Sequence, residues 1–266
     1  LQPVVAVALS STCLGLRTPL RAALEVLKER HEKAKALCRK VRTSCACLVD
    51  TATVLDCFRR GLVADDMATL GMILRTNGLP CLQQLYLGGN DIGDAGVQAL
   101  CEGLSCGAAP SLHYLGLARC QFGPAGAEAL AAALGRGAMP KIESLSVQGN
   151  PIGNQGVAVL AAPLRKLPAL VRLSVCQCGI GDEGVASLVD NLGKDDFKVL
   201  EQLWMHSNKI TDAGVAKLLA ALDGGGLPTL LNHYYLLADN PASAVVVEAV
   251  RAALGERRRL LTPPDT

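Results

Sequence analysis

The apolar positions of this chain fall into a frame that repeats. In Leu82-Gln83-Gln84-Leu85-Tyr86-Leu87-Gly88-Gly89-Asn90-Asp91-Ile92, leucine fills the first, fourth and sixth places, Asn the ninth and Ile the eleventh. The frame returns as Leu112, Leu115, Leu117, Cys120, Phe122 and as Ile142, Leu145, Val147, Asn150, Ile152. It returns again as Leu170, Leu173, Val175, Cys178, Ile180 and as Leu200, Leu203, Met205, Asn208, Ile210. Successive ninth places are 30, 30, 28 and 30 residues apart. Alternation over the first six places predicts a short strand, half of whose side chains are buried. A second pattern follows each turn: Val97, Leu100, Leu104, then Ala127, Leu130, Leu134; Val157, Leu160, Leu164; Val185, Leu188, Leu192; and Val215, Leu218, Leu222. Steps of three and four predict one buried helix face. A strand-plus-helix unit at a fixed period of this size marks a solenoid, because one unit cannot bury its apolar face alone.

Turn chemistry punctuates the units. Pro80, Pro110, Pro140, Pro168 and Pro228 each stand two residues before a frame, where proline ends the preceding helix. Asp94, Asn154, Asp182 and Asp212 open helices, with Pro124 in the equivalent place, and each acid or amide is expected to cap a helix by accepting from free backbone N–H groups. Thirty residues before Asn90, a worn first unit carries Leu55, Cys57, Leu62, Met67, Leu70 and Leu74, with Arg60 where Asn is expected. The last unit has two registers. Pro228 aligns Leu230 with the strand start, whereas Asn240, Val247, Val250 and Leu254 place that start at Asn232, so a bulge or longer loop is expected between them.

Upstream, Thr18-Pro19 reads as an N-cap followed by the first helical residue. Leu20, Leu24, Leu27, His31, Ala34, Cys38 and Val41 form one stripe on a long basic helix. Four segments follow: an N-terminal arm over 1–16, a basic amphipathic helical cap over 17–51, the repeats over 52–254 and a C-terminal tail over 255–266. The arm holds the apolar run Val4 to Leu9 and reads as a strand, an ordered arm or the remnant of a leader. Because the first residue is Leu1, the native start is expected upstream, which leaves an organelle address open.

The frame resembles leucine-rich repeats, specifically the ribonuclease-inhibitor-like class, in which each repeat carries a full helix and Asn alternates with Cys at the ninth place. That resemblance implies an α/β fold: a right-handed solenoid, or horseshoe, of about seven repeats with a concave parallel sheet, convex helices and an N-terminal helical cap. It implies a non-catalytic scaffold for protein–protein interaction, with no cofactor and no small-molecule substrate. The same arc follows from widths, since strands sit about 4.8 Å apart and packed helices about 8–10 Å. Asn at the ninth place is expected to bond turn backbone where the sheet ladder ends.

On the open sheet face the frame projects its second, third, fifth, seventh and eighth places. Tyr86, Tyr114 and Trp204 fall there, and Tyr234 and Tyr235 lie on the seventh strand. With aromatics at only 3% of the chain, this clustering points to interface anchors. The candidate partner-binding residues are Gln84, Tyr86, Tyr114, Arg119, Gln148, Arg172, Gln202, Trp204 and His206, with Glu143 and Glu201 beside them. They suit a protein partner, or several partners within a larger assembly. Net charge is only +2, which favours no nucleic acid, although Arg17 to Arg42 carries nine Lys and Arg against three Glu. No run reaches the length of a membrane span. Eleven scattered cysteines read as reduced thiols of an intracellular, cytoplasmic protein.

Other motifs are set aside. Gly179-Ile180-Gly181-Asp182-Glu183-Gly184 matches a dinucleotide fingerprint, but Gly181 repeats Gly93, Gly123 and Gly153, and Gly184 repeats Gly96, Gly126, Gly156 and Gly214. Cys45-Ala46-Cys47 and Cys176-Gln177-Cys178 lack zinc-knuckle spacing, and the second pair is expected to share one strand face. His113 and His206 sit three strands apart, too far to share a metal. Two alternatives stay open: a small-GTPase regulator similar to Ran-type GTPase-activating proteins, and the repeat region of an innate-immune-type sensor.

Overall fold

A computed structural model describes residues 17–104, 107–231 and 236–261. The arm over 1–16, Tyr234, Tyr235 and the end of the tail lie outside the described residues. Two helices come first, α1 (Arg17–Lys40) and α2 (Cys45–Asp50). Strands and helices then alternate: β1 (Val54–Asp56), α3 (Ala64–Asn77), β2 (Gln84–Tyr86), α4 (Gly93–Gly103), β3 (Tyr114–Gly116), α5 (Pro124–Gly135), β4 (Ser144–Ser146) and α6 (Gly153–Arg165). The series ends with β5 (Arg172–Ser174), α7 (Asp182–Val189), β6 (Gln202–Trp204), α8 (Asp212–Asp223) and α9 (Ala244–Leu261).

The six strands form one open parallel sheet in chain order. Its register joins Leu55, Leu85, Leu115, Leu145, Leu173 and Leu203 in one buried row. From α3 to α9, each helix packs on the next beside that sheet. The strand and helix leucines of all frames meet in a single continuous core. Leu192 is the exception among the expected helix positions: α7 stops at Val189, and Leu192 packs half-buried from the loop beyond it.

The seventh strand start resolves into both expected registers. Leu231 N–H donates to the Glu201 carbonyl, as Glu201 does to Val171, which makes Leu230 the first place of the frame. Met205 and Ser207 then donate to Leu236 and Ala238, which makes Asn240 the ninth place. The residues between Leu231 and Leu236, where the expected bulge or longer loop would fall, lie outside the described residues.

At the other end, α1 begins at Arg17, so Thr18 sits within the first helical turn instead of preceding it. Leu24, Cys38 and Val41 of the predicted stripe are buried, but His31 is exposed. Contact with the core is made by Leu37, Cys38 and Val41, where α1 packs on α3 and Lys40 Nζ lies 2.6 Å from Asp66 Oδ2. The short α2 was not legible in the sequence pattern. Ser44 Oγ accepts from Cys47 N–H at its start, and Leu48 enters the core.

What joins one repeat to the next is the ninth place. Asn150 is fully buried. Its Oδ1 accepts from Cys120 N–H at 2.8 Å and Phe122 N–H at 3.4 Å, in the preceding repeat. Its Nδ2 donates to the carbonyls of Leu117 at 2.7 Å and Val147 at 2.8 Å. Asn90, Asn208 and Asn240 repeat this set. At Cys120 and Cys178 a thiol donates to the carbonyl of Leu87 or Val147, each at 3.3 Å, so cysteine keeps the link to the previous repeat. Burial pushes both thiols up, Cys120 to about 11 and Cys178 to about 12, so both stay protonated as the donation requires.

Helix capping runs between repeats too: the acids and the amide cap helices as expected, and the helix each one caps is that of the following repeat. Asp94 Oδ1, from α4, accepts from Gly123 and Gly126 N–H at the start of α5, each at 2.7 Å. Asn154 accepts from Gly181 before α7, Asp182 from Thr211 and Gly214 around α8, and Asp212 from Ser243 before α9. The reason is stacking: the first or second residue of one helix lies beside the N-terminus of the next. A Cβ added to Gly126 or Gly184 would sit 2.8 Å from the capping oxygen of Asp94 or Asn154, and at every such glycine, Gly96 and Gly156 included, it would also come within 3 Å of the Ile or Phe four residues earlier. Where the previous repeat offers Ala64 or Pro124, no side chain reaches across. Gly93 and Gly153 then donate forward to the carbonyls of Cys120 and Cys178, at 3.0 and 2.9 Å.

Three outcomes test this architecture. Asn150→Ala leaves two N–H groups and two carbonyls without that partner and is expected to cost roughly 3 kcal/mol in urea unfolding. Gly71 on α3 lies against Ala99 and Gly103 of α4, with no room for a Cβ. Gly71→Ala should therefore cost about 1–3 kcal/mol, whereas Gly135→Ala, which opens into free space, should cost nothing. Partial burial raises the Asp182 carboxyl, but bonds from the Thr211 hydroxyl, Thr211 N–H and Gly214 N–H outweigh it and hold the group below its ordinary value. A lowered folded value stabilises above the unfolded pKa and is lost as pH falls through the folded one. Urea midpoints should thus drop more steeply below about pH 4 in the wild type than in Asp182→Asn.

Candidate functional site

Strand alternation sets the site. Leu85, Leu115, Leu145, Leu173 and Leu203 point into the core, so their neighbours on each strand stand on the open face. On β2 and β3 this face is aromatic. The rings of Tyr86 and Tyr114 are 4.5 Å apart at their centroids and tilted by 32°. Tyr86 Oη donates to Gln84 Oε1 at 2.9 Å, and Gln84 Nε2 lies 3.5 Å from His113 Nε2. Gly116 makes the arrangement possible: a Cβ there would come within 3.0 Å of the Tyr114 ring.

Across β4 and β5 the face falls away. Ser144, Ser146, Ser174 and Cys176 are small, while Tyr114 on β3 and Trp204 on β6 are large. The difference leaves a groove of about 400 Å³, completed by Gln148, Arg172, His206 and the edge of Leu145. Arg172 is exposed, and it is the one Lys or Arg among the lining residues, none of which is a carboxylate. His206 Nδ1 lies 3.1 Å from Ser207 Oγ, which donates to Asp239 Oδ2 at 3.3 Å, so the imidazole is positioned from the turn behind it.

Of the nine residues singled out in the sequence, the groove gathers Tyr114, Gln148, Arg172, Trp204 and His206. Gln84 and Tyr86 belong to the adjoining tyrosine cluster. Arg119 is turned elsewhere. Its stem passes over Gly149, and its guanidinium donates to Gln177 Oε1 at 3.4 Å, two repeats away. Gln202 shares the face on β6 but does not line the groove. The serines were missed because depth comes from absent bulk, which registers only when neighbouring strands are compared. Cys176 and Cys178 do not share a face, contrary to expectation. Gln177 between them has a φ of +54°, so Cys176 lines the groove and Cys178 enters the core.

A second cluster lies at the outer edge of β1. Val54, Phe58 and Val63 are exposed, and the Arg59 guanidinium lies 5.2 Å from the Phe58 ring centroid.

The Leucine Rich repeat family model matches residues 78–101, 108–131, 138–161 and 167–189, in phase with the strand-and-helix units from β2 to α7. These units are leucine-rich repeats. No curated protein matches the chain. In a leucine-rich repeat array the sheet face is shared by every unit, so the groove is composite: no single repeat contains it. Among the described residues no group of three or more His, Cys, Asp or Glu is placed to hold a metal ion. Among them, too, no helix is long and apolar enough to cross a membrane.

Proposed function

We propose that this chain is a non-catalytic scaffold for protein–protein interaction that binds a protein partner on its sheet face, as one subunit of a larger assembly. In this reading the repeats are of the ribonuclease-inhibitor-like class and wind as a right-handed horseshoe of seven units. The sheet is the concave side, because strands at about 4.8 Å are narrower than helices at about 8–10 Å. The helices α1 and α2 cover the first repeat, which would otherwise expose its core. Nine free thiols among the described residues suit a reducing, cytoplasmic setting.

The observation that carries the reading is the groove. Trp, Tyr and Arg are the residues that most often dominate binding energy, and Tyr114, Trp204 and Arg172 converge around one serine-floored depression. A guanidinium without a neighbouring carboxylate in the lining calls for an anion from the partner, and two ring faces call for apolar surface. The occupant fitting both is a protein segment that offers an acidic side chain next to an apolar one.

The double variant Trp204→Ala/Arg172→Ala separates this from a purely structural face. Proteins captured by the wild-type chain from its native extract should fall at least about tenfold, which is roughly 1.4 kcal/mol of binding. Glu128→Ala, exposed on α5, should leave capture unchanged. Equal capture by wild type and the double variant, with both folded by circular dichroism, would exclude the sheet face.

A further inference from the structure

The turn between α1 and α2 brings two sulfurs together. Cys38 Sγ and Cys45 Sγ are 3.0 Å apart, within hydrogen-bond contact of one another. The backbone holds them there: Val41 N–H donates to Leu37 and Thr43 N–H to the Cys38 carbonyl, while Ser44 caps α2 directly before Cys45. Each cysteine belongs to a different helix, and each helix is anchored independently. Leu37 and the Lys40–Asp66 ion pair fix α1 on α3, and Leu48 fixes α2 in the core. We propose that Cys38 and Cys45 form an oxidisable pair, closing to a disulfide that joins α1 to α2 when the protein meets a hydroperoxide.

Exposure assigns the order of events. Cys45 is half-buried and Cys38 is buried, so within the pair peroxide reaches Cys45 before Cys38. The Cys45 sulfur attacks one peroxide oxygen, the O–O bond breaks, and the products are a sulfenic acid and water. The Cys38 sulfur then attacks the sulfenic sulfur, the S–O bond breaks, and a second water leaves. Two thiols have lost two electrons to one peroxide, and both thiol protons end in water. Burial, followed by the bond shared with Cys45, pushes the Cys38 thiol up to about 12, which keeps the resting Cys38 protonated. The part owed to Cys45 disappears once that sulfur is oxidised. Closing the bond requires the sulfurs to approach by about 1 Å.

Cys47 is the rival partner. It is fully exposed, and hydrogen bonds from Thr51 and then Thr43 lower its thiol, so it is the readier target for oxidant. On a helix, however, positions two apart face in different directions. Cys47 is therefore turned from Cys45, and it is bonded to Thr51 instead of Cys38.

The test uses the full chain, treated with hydrogen peroxide, alkylated and digested with trypsin. Cleavage at Arg39, Lys40 and Arg42 separates the two sulfurs, so a bond between them links peptide 36–39 to peptide 43–59. That linked species is expected in the wild type, with fragment ions placing the bond on Cys45, and dithiothreitol should remove it. It should persist in Cys47→Ser and vanish in Cys45→Ser. A bond that fragment ions place on Cys47 would overturn the proposal. So would full alkylation of Cys38 after peroxide has oxidised Cys47. Both readouts come from the wild type, so they decide even where a serine variant fails to fold.

Discussion

Buried backbone amides in the turns are the constraint on which this structure depends. Each repeat ends its strand after three residues, leaving N–H and carbonyl groups that neither the ladder nor the next helix can satisfy. The side chain that satisfies them belongs to the following repeat, as Asn150 does for Cys120 and Phe122. A stack held this way cannot loosen at one joint without stranding polar groups on both sides of it. The inter-repeat caps from Asp94, Asn154, Asp182 and Asp212 extend the same dependence to the helix side. The leucines supply most of the favourable burial, while the amides and carboxylates fix the spacing at which that burial occurs.

Fixed spacing is also what gives the sheet face its shape. Because the strands share one register, a small residue on one strand stands beside a defined residue on the next. Ser144 lies between Tyr114 and Arg172, and Ser174 lies between Ser146 and Trp204. A depression therefore needs no irregular loop or special backbone. It needs serines on the two middle strands and rings on the two outer ones. The groove and the core use separate alternating positions of the same strands, so the face can vary while Leu115, Leu145, Leu173 and Leu203 stay in the core.

The sequence made the repeated unit legible because phase is a one-dimensional signal. Every strand leucine and the turn asparagines were readable from spacing alone, and Leu230 and Asn240 gave two registers that both hold. What spacing does not carry is which neighbour a side chain reaches. Asp94 reads as a helix cap, but the helix it caps is settled only when stacking places Gly126 within its range. Cys176 and Cys178 look like one face until the left-handed Gln177 turns the chain between them. The groove followed the same logic. Its aromatic walls at Tyr114 and Trp204 stood out by type, whereas Ser144, Ser146 and Ser174 carry no signal until four strands are laid side by side. Arg119 was assigned to the face by position, and only the glycine beneath its stem reveals that it runs sideways to Gln177.

The asparagine bonds have a direction, and synthesis does too. Arg60 and Leu62 donate to an oxygen that lies 30 and 28 positions further along the chain. A ribosome therefore releases each turn before its partner exists. At about 5–20 residues per second, the wait is roughly 2–6 s for every unit. The nascent chain is always one repeat short of closed, with its newest sulfur or amide at the growing tip, and the array locks from the oldest end one unit behind translation.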